Sequence, residues 1–320
     1  MLSAAPAPAW RRVEAAGEAP CARTGHAMAV VGSSVVVVGG TSAERGFLAD
    51  VHVLDTRTWS WSQAVDEAAL ADSRFSPRDK LTAVTTGHRV VVFGGFGPTQ
   101  QGGGEPHDQP HGGAEDAAED EDEDEQEEEE EGTTFTWFGD AFILELGSGP
   151  HWQWRPQPTT GDAPSARAAH GAAALGGRMF VFGGRDAGGR VNDTYSLDTV
   201  DWAWTKHEAP QAAAPVARSF HALVALPPPL PCAVAFGGLS ADGSALDVLD
   251  VLDARQQPAA WRSVKHRAGA WPRACSSAAA AMLGDRLVVL GGAGSDDHLC
   301  SDSVLHLAPL IDALQKEPQP

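Results

Sequence analysis

An all-β fold assembled from repeated four-stranded sheets is what this sequence predicts. Three observations lead there. Glycine (35) and proline (22) are abundant among the 320 residues while long helical periodicity is missing, which favours many short strands joined by turns. Gly-Gly pairs close apolar strands at regular intervals. Tryptophan returns after each interval, with residues two apart placed on one strand face.

The Gly-Gly pairs begin at Gly39, Gly94, Gly183, Gly237 and Gly291, with spacings of 55, 89, 54 and 54. An arginine precedes each: Arg23, Arg78, Arg167, Arg218 and Arg273, at 16, 16, 16, 19 and 18 residues. The turn "LPPPLP" (226–231) lengthens the fourth gap. Downstream stands an aspartate opening an apolar strand: "DVHVLD" from Asp50, "DAFILE" from Asp140 and "DTYSLD" from Asp193. "DVLDVLD" from Asp247 and "DSVLHL" from Asp302 are one residue out of that register. Tryptophan follows in "WSW" (Trp59), "WQW" (Trp152), "WAW" (Trp202) and as single Trp261. Each unit therefore reads as four strands. A lone sheet of this kind cannot bury both faces, so the units must stack side by side.

A unit of about 50 residues with Gly-Gly and a later Trp resembles the Kelch repeat over nearly the whole chain, which implies a β-propeller. The expected blades are 20–65, 75–157, 164–208, 215–265 and 272–310. The fifth lacks a tryptophan strand, and "AWRRVE" (9–14) precedes the first unit. Trp10 is therefore expected to supply the outer strand of the last blade and to remove a sheet edge. Five blades, and six with one lost, both fit.

The 89-residue spacing holds an insertion, residues 97–133, between the second and third strands of blade two. Within it, residues 115–131 carry 14 acidic side chains in 17 positions. It cannot bury enough apolar surface to fold and reads as a disordered loop. His107 and His111 lie in it without a scaffold to orient a metal. Removing the acidic run takes the formal charge from −20 to −6 (−20 + 14), ordinary for a domain without a basic stripe. Nucleic-acid and anionic-membrane partners are not expected. Cys21, Cys232, Cys275 and Cys300 form no CxxC pair, which argues against a zinc site or disulfide framework and suits the cytosol or nucleus. The N-terminal stretch lacks a signal-peptide core, and the apolar run at 35–38 is too short to span a bilayer. No cofactor is implied.

Repetition separates scaffold from site. The upstream arginines stand in all five units, and they read as architecture together with the aspartates, the tryptophans and the histidines three places after the arginines in three units (His26, His170, His221). Departures from the template are the better site candidates. After each Gly-Gly stand Thr41, Phe96, Arg185, Leu239 and Ala293, so only blade three has arginine there. Six residues past its second glycine, blade three has Arg190 where blade one has Gly46. One and two residues past the upstream arginines stand Thr24-Gly25, Asp79-Lys80, Ala168-Ala169, Ser219-Phe220 and Ala274-Cys275. Lys80, Ser219 and Phe220 break pattern. All these positions are expected around one mouth of the central channel, where two guanidiniums, a lysine and a hydroxyl would hold a carboxylate. The plainer expectation pairs Arg185 and Arg190 with Asp186 and Asp193 in surface salt bridges.

Several stretches resemble one subgroup more closely: "SPRDKL" (76–81), "FGGFG" (93–97), "TTGDAPSARAAH" (159–170), "FVFGGRDAGGRVND" (180–193) and "PVARSFH" (215–221). The subgroup is the Kelch domain-containing substrate receptors of Cullin-RING ubiquitin ligases, which recognise protein C-termini that typically end in glycine. The resemblance implies that Arg185, Arg190 and Ser219 hold the terminal carboxylate. It also implies that Lys80, Phe96, Phe220 and Trp137 or Phe138 line the pocket. Phe96 stands where a tyrosine is usual and Phe220 where a tryptophan is. Those receptors carry a helical adaptor-binding segment after the propeller, and "IDALQKEPQP" (311–320) is shorter than such a segment. A plain scaffold binding a protein through its rim is the rival expectation. Catalysis is not expected. Copper-radical oxidases of this fold need paired tyrosines, whereas this chain has only Tyr195, and Ser219 and His221 lack a third triad member.

Overall fold

The computed structural model describes residues 12–65, 73–99, 133–146, 152–208, 214–264, 273–294, 299–300 and 302–317. Five antiparallel sheets follow one another as the blades of a propeller. Blade one pairs β2 (Ala27–Val31), β3 (Ser34–Ser42), β4 (Gly46–Asp55) and β5 (Ser60–Gln63), with β1 (Ala16–Gly17) added parallel to β5. Blade two is β6 (Thr82–Thr86), β7 (Arg89–Phe93), β10 (Ala141–Leu146) and β11 (Trp152–Pro156). Blade three is β13 (Gly171–Leu175), β14 (Arg178–Phe182), β17 (Thr194–Asp198) and β18 (Ala203–His207), flanked by β12 (Thr160–Gly161). Blade four is β19 (Ala222–Ala225), β20 (Cys232–Phe236), β21 (Leu249–Asp253) and β22 (Ala260–Val264). Blade five is described as three strands, β23 (Ala279–Leu283), β24 (Arg286–Leu290) and β25 (Ser303–His306). The strand expected from Trp10 lies outside the described residues.

The second strands of blades two to four are apolar without alternation because both of their faces are covered, one by each neighbouring blade. Val36 and Val38 meet Val90 and Val92 between blades one and two, and Phe93 and Val91 meet Met179 and Val181 between two and three. Phe180 and Phe182 meet Ala233 and Ala235 between three and four, and Val234 and Phe236 meet Leu287 and Val289 between four and five. The inner strands β2, β6, β13, β19 and β23 line one central channel of about 530 Å³. Of the paired tryptophans, only Trp152 and Trp154 share a strand face. Trp59 and Trp202 lie in the preceding turns at φ 55° and 58°, leaving Trp61 and Trp204 on the strands.

The arginines form clamps within their own blades. Arg167 donates from Nη1 to the Gly183 carbonyl (2.9 Å) and to Asp193 (2.5 Å), tying the start of the blade to its second and third strands. Arg23 binds Gly39 and Asp50 likewise, and Arg78 binds Gly94 and Asp140. Burial opposes ionisation of Asp50, but bonds from His52 and Arg23 hold its carboxyl well below the usual range. In blade four the carboxylate comes from Asp250 rather than Asp247, and Arg218 reaches it at 2.5 Å. Blade five corrects the expectation more sharply. The position that receives the preceding Gly-Gly is Cys275, not Arg273: Gly238 N–H donates to the Cys275 carbonyl just as Gly184 does to Arg218. The arginine clamp is therefore present in four blades, and the residues equivalent to Ser219-Phe220 in blade five are Ser276-Ser277.

A seam separates blades five and one. In the first four blades the leading glycine abuts a backbone carbonyl of the next blade, so that a Cβ would lie within 3 Å of it, whereas Gly291 meets nothing within 4 Å. Gly25, Lys80, Ala169, Phe220 and Ser277 are all left-handed, with φ of 52–63°. Each from Lys80 onward donates its N–H to the carbonyl of the one before, but among the described residues Gly25 receives no such link from Ser277 and makes none to it. Met28 (59% exposed) and Val30 on one side, and Leu283 and Val304 (51%) on the other, are left open.

A C-terminal helix, α1 (Ala308–Lys316), was not expected from the repeat pattern. Pro309 sits in its first turn, where a missing N–H costs nothing. Leu307, Ile311 and Leu314 enter the core between blades four and five. Arg255 donates to the Leu314 carbonyl (2.7 Å) and, with Arg262, binds Glu317, pinning the helix end to blade four.

Candidate functional site

The mouth of the channel next to the left-handed ring is built from one bridged triple per blade. These are Thr24–Thr41–Phe47, Asp79–Phe96–Trp137, Ala168–Arg185–Arg190, Ser219–Leu239–Ala245 and Ser276–Ala293–Leu299. Every candidate except Phe138 stands on this rim or on the ring beneath it. The register also corrects one comparison: the residue facing Thr41, as Arg190 faces Arg185, is Phe47 and not Gly46.

In blade three a short hairpin, β15 (Arg185–Asp186) and β16 (Gly189–Arg190), sets the two arginines directly opposite each other. Gly189, at φ 119°, makes the tight turn. Arg190 Nε donates to Ser219 Oγ at 2.9 Å, so blades three and four join through these two side chains. Ser219 is fully buried, Arg190 half-buried and Arg185 exposed. Burial, and then the Arg185 charge, lower the Arg190 pKa, with Asp242 partly offsetting them. The expected salt bridges do not form. Asp186 accepts from Ser165 Oγ (2.6 Å) and the Gly188 amide, and Asp193 belongs to the Arg167 clamp. Among the described residues neither guanidinium has a carboxylate partner.

The remaining candidates divide. Lys80 is not a free cation, because its ammonium lies 2.6 Å from Asp79, which also accepts from Thr41 Oγ1. Phe220 is half-buried, one ring step from Ala169 and next to Ser219. Phe96 pairs with Trp137 across β8 (Phe96–Pro98) and β9 (Phe135–Trp137), with ring centroids 5.2 Å apart. Phe47 and Phe135 complete that aromatic cluster at 6.4 and 5.9 Å from Phe96. Sequence reasoning missed both, and the signal was the hairpin register that sets Phe47 opposite Thr41. Phe138 is architectural: its ring covers the Arg78 guanidinium at 3.6 Å. His170 and His221 are buried beneath the rim, and His170 Nε2 pairs with Thr82 Oγ1 at 2.6 Å. No group of three or more metal-ligating side chains occurs among the described residues. No helix among them is long and apolar enough to cross a membrane.

The mouth thus combines a cationic sector, a hydroxyl beside it and an aromatic sector two blades wide. The KLHDC2/KLHL20/DRC7 Kelch-repeats domain matches residues 6–108 and 128–292. The chain belongs to this Kelch family. Kelch domain-containing protein 2 of Bos taurus is 28% identical over 295 residues, covering 90% of this chain and 65% of that protein. Kelch domain-containing protein 1 of Homo sapiens is 27% identical over 302 residues, covering 92% and 67%. Acyl-CoA-binding domain-containing protein 4 of Arabidopsis thaliana is 26% identical over 215 residues, covering 67% and 26%. The chain thus spans from about a quarter to two thirds of the length of these relatives. It is a five-bladed Kelch propeller.

Proposed function

We propose that the protein is a receptor for the C-termini of other polypeptides. The observation carrying this reading is the guanidinium couple: Arg185 and Arg190 face each other with no salt-bridged carboxylate among the described residues, Asp242 acting on Arg190 only at longer range, and Arg190 is already oriented by Ser219. Two like charges so placed repel until an anion arrives. A terminal carboxylate has two oxygens for the planar forks and accepts a hydroxyl as well. Phe220 and the Phe96–Trp137 pair would shape the residues just upstream, while Lys80, neutralised by Asp79, would contribute its stem more than its charge. The reading continues to a substrate-recognition subunit of a Cullin-RING ubiquitin ligase, working in the cytosol or nucleus, where reduced thiols persist. It describes a binding module and not a catalyst.

Isothermal titration with a glycine-ended peptide and with its C-terminal amide tests the clamp. Binding of the acid and loss of binding by the amide are expected, and equal affinities overturn the reading. Co-purification with Cullin-RING adaptors tests the ligase role separately. The second reading, a scaffold using its outer rim, is favoured if partner capture survives Arg185→Ala and Arg190→Ala.

A further inference from the structure

Blade five breaks the repeat at one point that the receptor reading does not use. Where the other blades bury an arginine against an aspartate, it has Cys275, 3% exposed and packed in the core between blades four and five. Cys300, half-buried, packs on the same core. Its backbone N–H donates to Gly292, the second glycine of the pair, and its thiol donates to the carbonyl of Ala274, next to Cys275, at 3.5 Å. The Cys300 side chain is thus bonded one residue away from Cys275 and acts on its thiol. The other cysteines lie elsewhere: Cys21 against Arg23, and Cys232 against Asp253.

We propose that Cys275 and Cys300 are a thiol–disulfide modification site that takes the place of the missing arginine–aspartate clamp in blade five. Both groups tie the same two parts of a blade together, the start of the inner strand and the approach to the third strand. The salt-bridged version is permanent, and the sulfur version is set by the redox state around it. Burial, reinforced by Cys300, pushes the Cys275 thiol up to about 11, so Cys275 is the resolving group and the more accessible Cys300 the entry point.

The oxidant is a low-molecular-weight disulfide, RSSR. Cys300, as thiolate, attacks one of its sulfurs, forming a mixed disulfide and expelling RS⁻, which takes up the proton that Cys300 released. Cys275 then attacks the Cys300 sulfur while its own proton passes to the second departing RS⁻. One protein S–S bond forms and the S–S bond of RSSR is lost. The protein gives up two electrons, and two RSH leave. The bond would close a loop from 275 to 300 at the end of the propeller that lacks a covering blade, where a covalent tie has the least help from packing.

The test uses the intact chain equilibrated with oxidised and reduced glutathione at graded ratios, quenched by alkylation and digested without reduction. The expected result is a Cys275–Cys300 cross-linked peptide, with titratable thiols falling from four to two and the thermal midpoint rising by roughly 5 °C. Cys275→Ser should stop at a glutathione adduct on Cys300, and Cys300→Ser should leave Cys275 reduced. Three results would overturn the proposal: a stable Cys300 adduct in the unmutated chain without a cross-link, a cross-link through Cys21 or Cys232, or an unchanged midpoint on full oxidation. Because the readout needs no peptide, it is independent of the carboxylate clamp.

Discussion

Arg190 is where charge, burial and hydrogen bonding meet. Arg190→Ala is expected to weaken binding of a C-terminal peptide by about 2–5 kcal/mol, the usual cost of removing one partner of a desolvated charge pair. The same change should lower the melting temperature by only a few degrees, since it breaks no salt bridge but leaves the buried Ser219 hydroxyl without its partner; titration and a thermal melt check both halves. Two histidines nearby give the fold an acid limit. Burial, then the Arg167 charge, takes His170 down to about 3, and burial, then Arg218, takes His221 well below its ordinary value. Both are neutral in the folded chain and titrate near 6.5 when unfolded, so the unfolded state binds more protons below that pH. Stability should be constant above pH 6.5 and fall toward pH 3, by roughly 1.4 kcal/mol per unit for each histidine. Urea unfolding at pH 7.5 and 5.5 measures this, and equal stabilities would contradict it. At this scale the arginine pair was legible because it departs from a repeating template. The Lys80–Asp79 pairing was not, since adjacent residues in a left-handed turn come together only through backbone geometry.

Blades one to three each carry an arginine clamp that joins three chain segments. Arg167→Ala leaves Asp193 without its ionic partner and removes a bond to the Gly183 carbonyl, so a loss of about 3–5 kcal/mol is expected in chemical denaturation. Arg273→Ala, on an exposed residue outside any clamp, should change stability by no more than about 0.5 kcal/mol. Similar effects for the two would refute the assignment of Cys275 to the arginine position. Blades one to three were readable because arginine and Gly-Gly stand 16 residues apart in each, with an aspartate opening the next apolar strand even where the insertion of blade two intervenes. Blades four and five misled because physics conserves the geometry and not the residue. Asp250 lies two positions past the template on the same strand face, and an arginine two places before Cys275 imitates the motif. Helix α1 had its own signal in Leu307, Ile311 and Leu314 at positions 0, 4 and 7, behind a proline start.

The acidic insertion enters and leaves the molecule at one closed gate. Thr99 and Thr134 are hydrogen-bonded through both backbone (2.8 Å) and side chains (2.8 Å). Replacing residues 100–132 with a short turn should therefore shift the net charge from −20 to −4 (removing 16 acidic residues) while moving the melting point by no more than a few degrees. A collapsed melt would show that the insertion supports blade two. The overall architecture was legible because five periods of glycine and aspartate, four of them followed by tryptophan, demand side-by-side sheets. How the ring ends was not, because closure depends on contacts between residues nearly a full chain apart. The gap between β23 and β2 has a dynamic consequence. Blade two is held on both flanks and can open only with its neighbours, whereas blade five has a single covered flank plus α1. Amide hydrogens of Val288 and Leu305 should therefore exchange with deuterated solvent orders of magnitude sooner than those of Val91 and Ile143, and unravelling should run from the C-terminal blade inward.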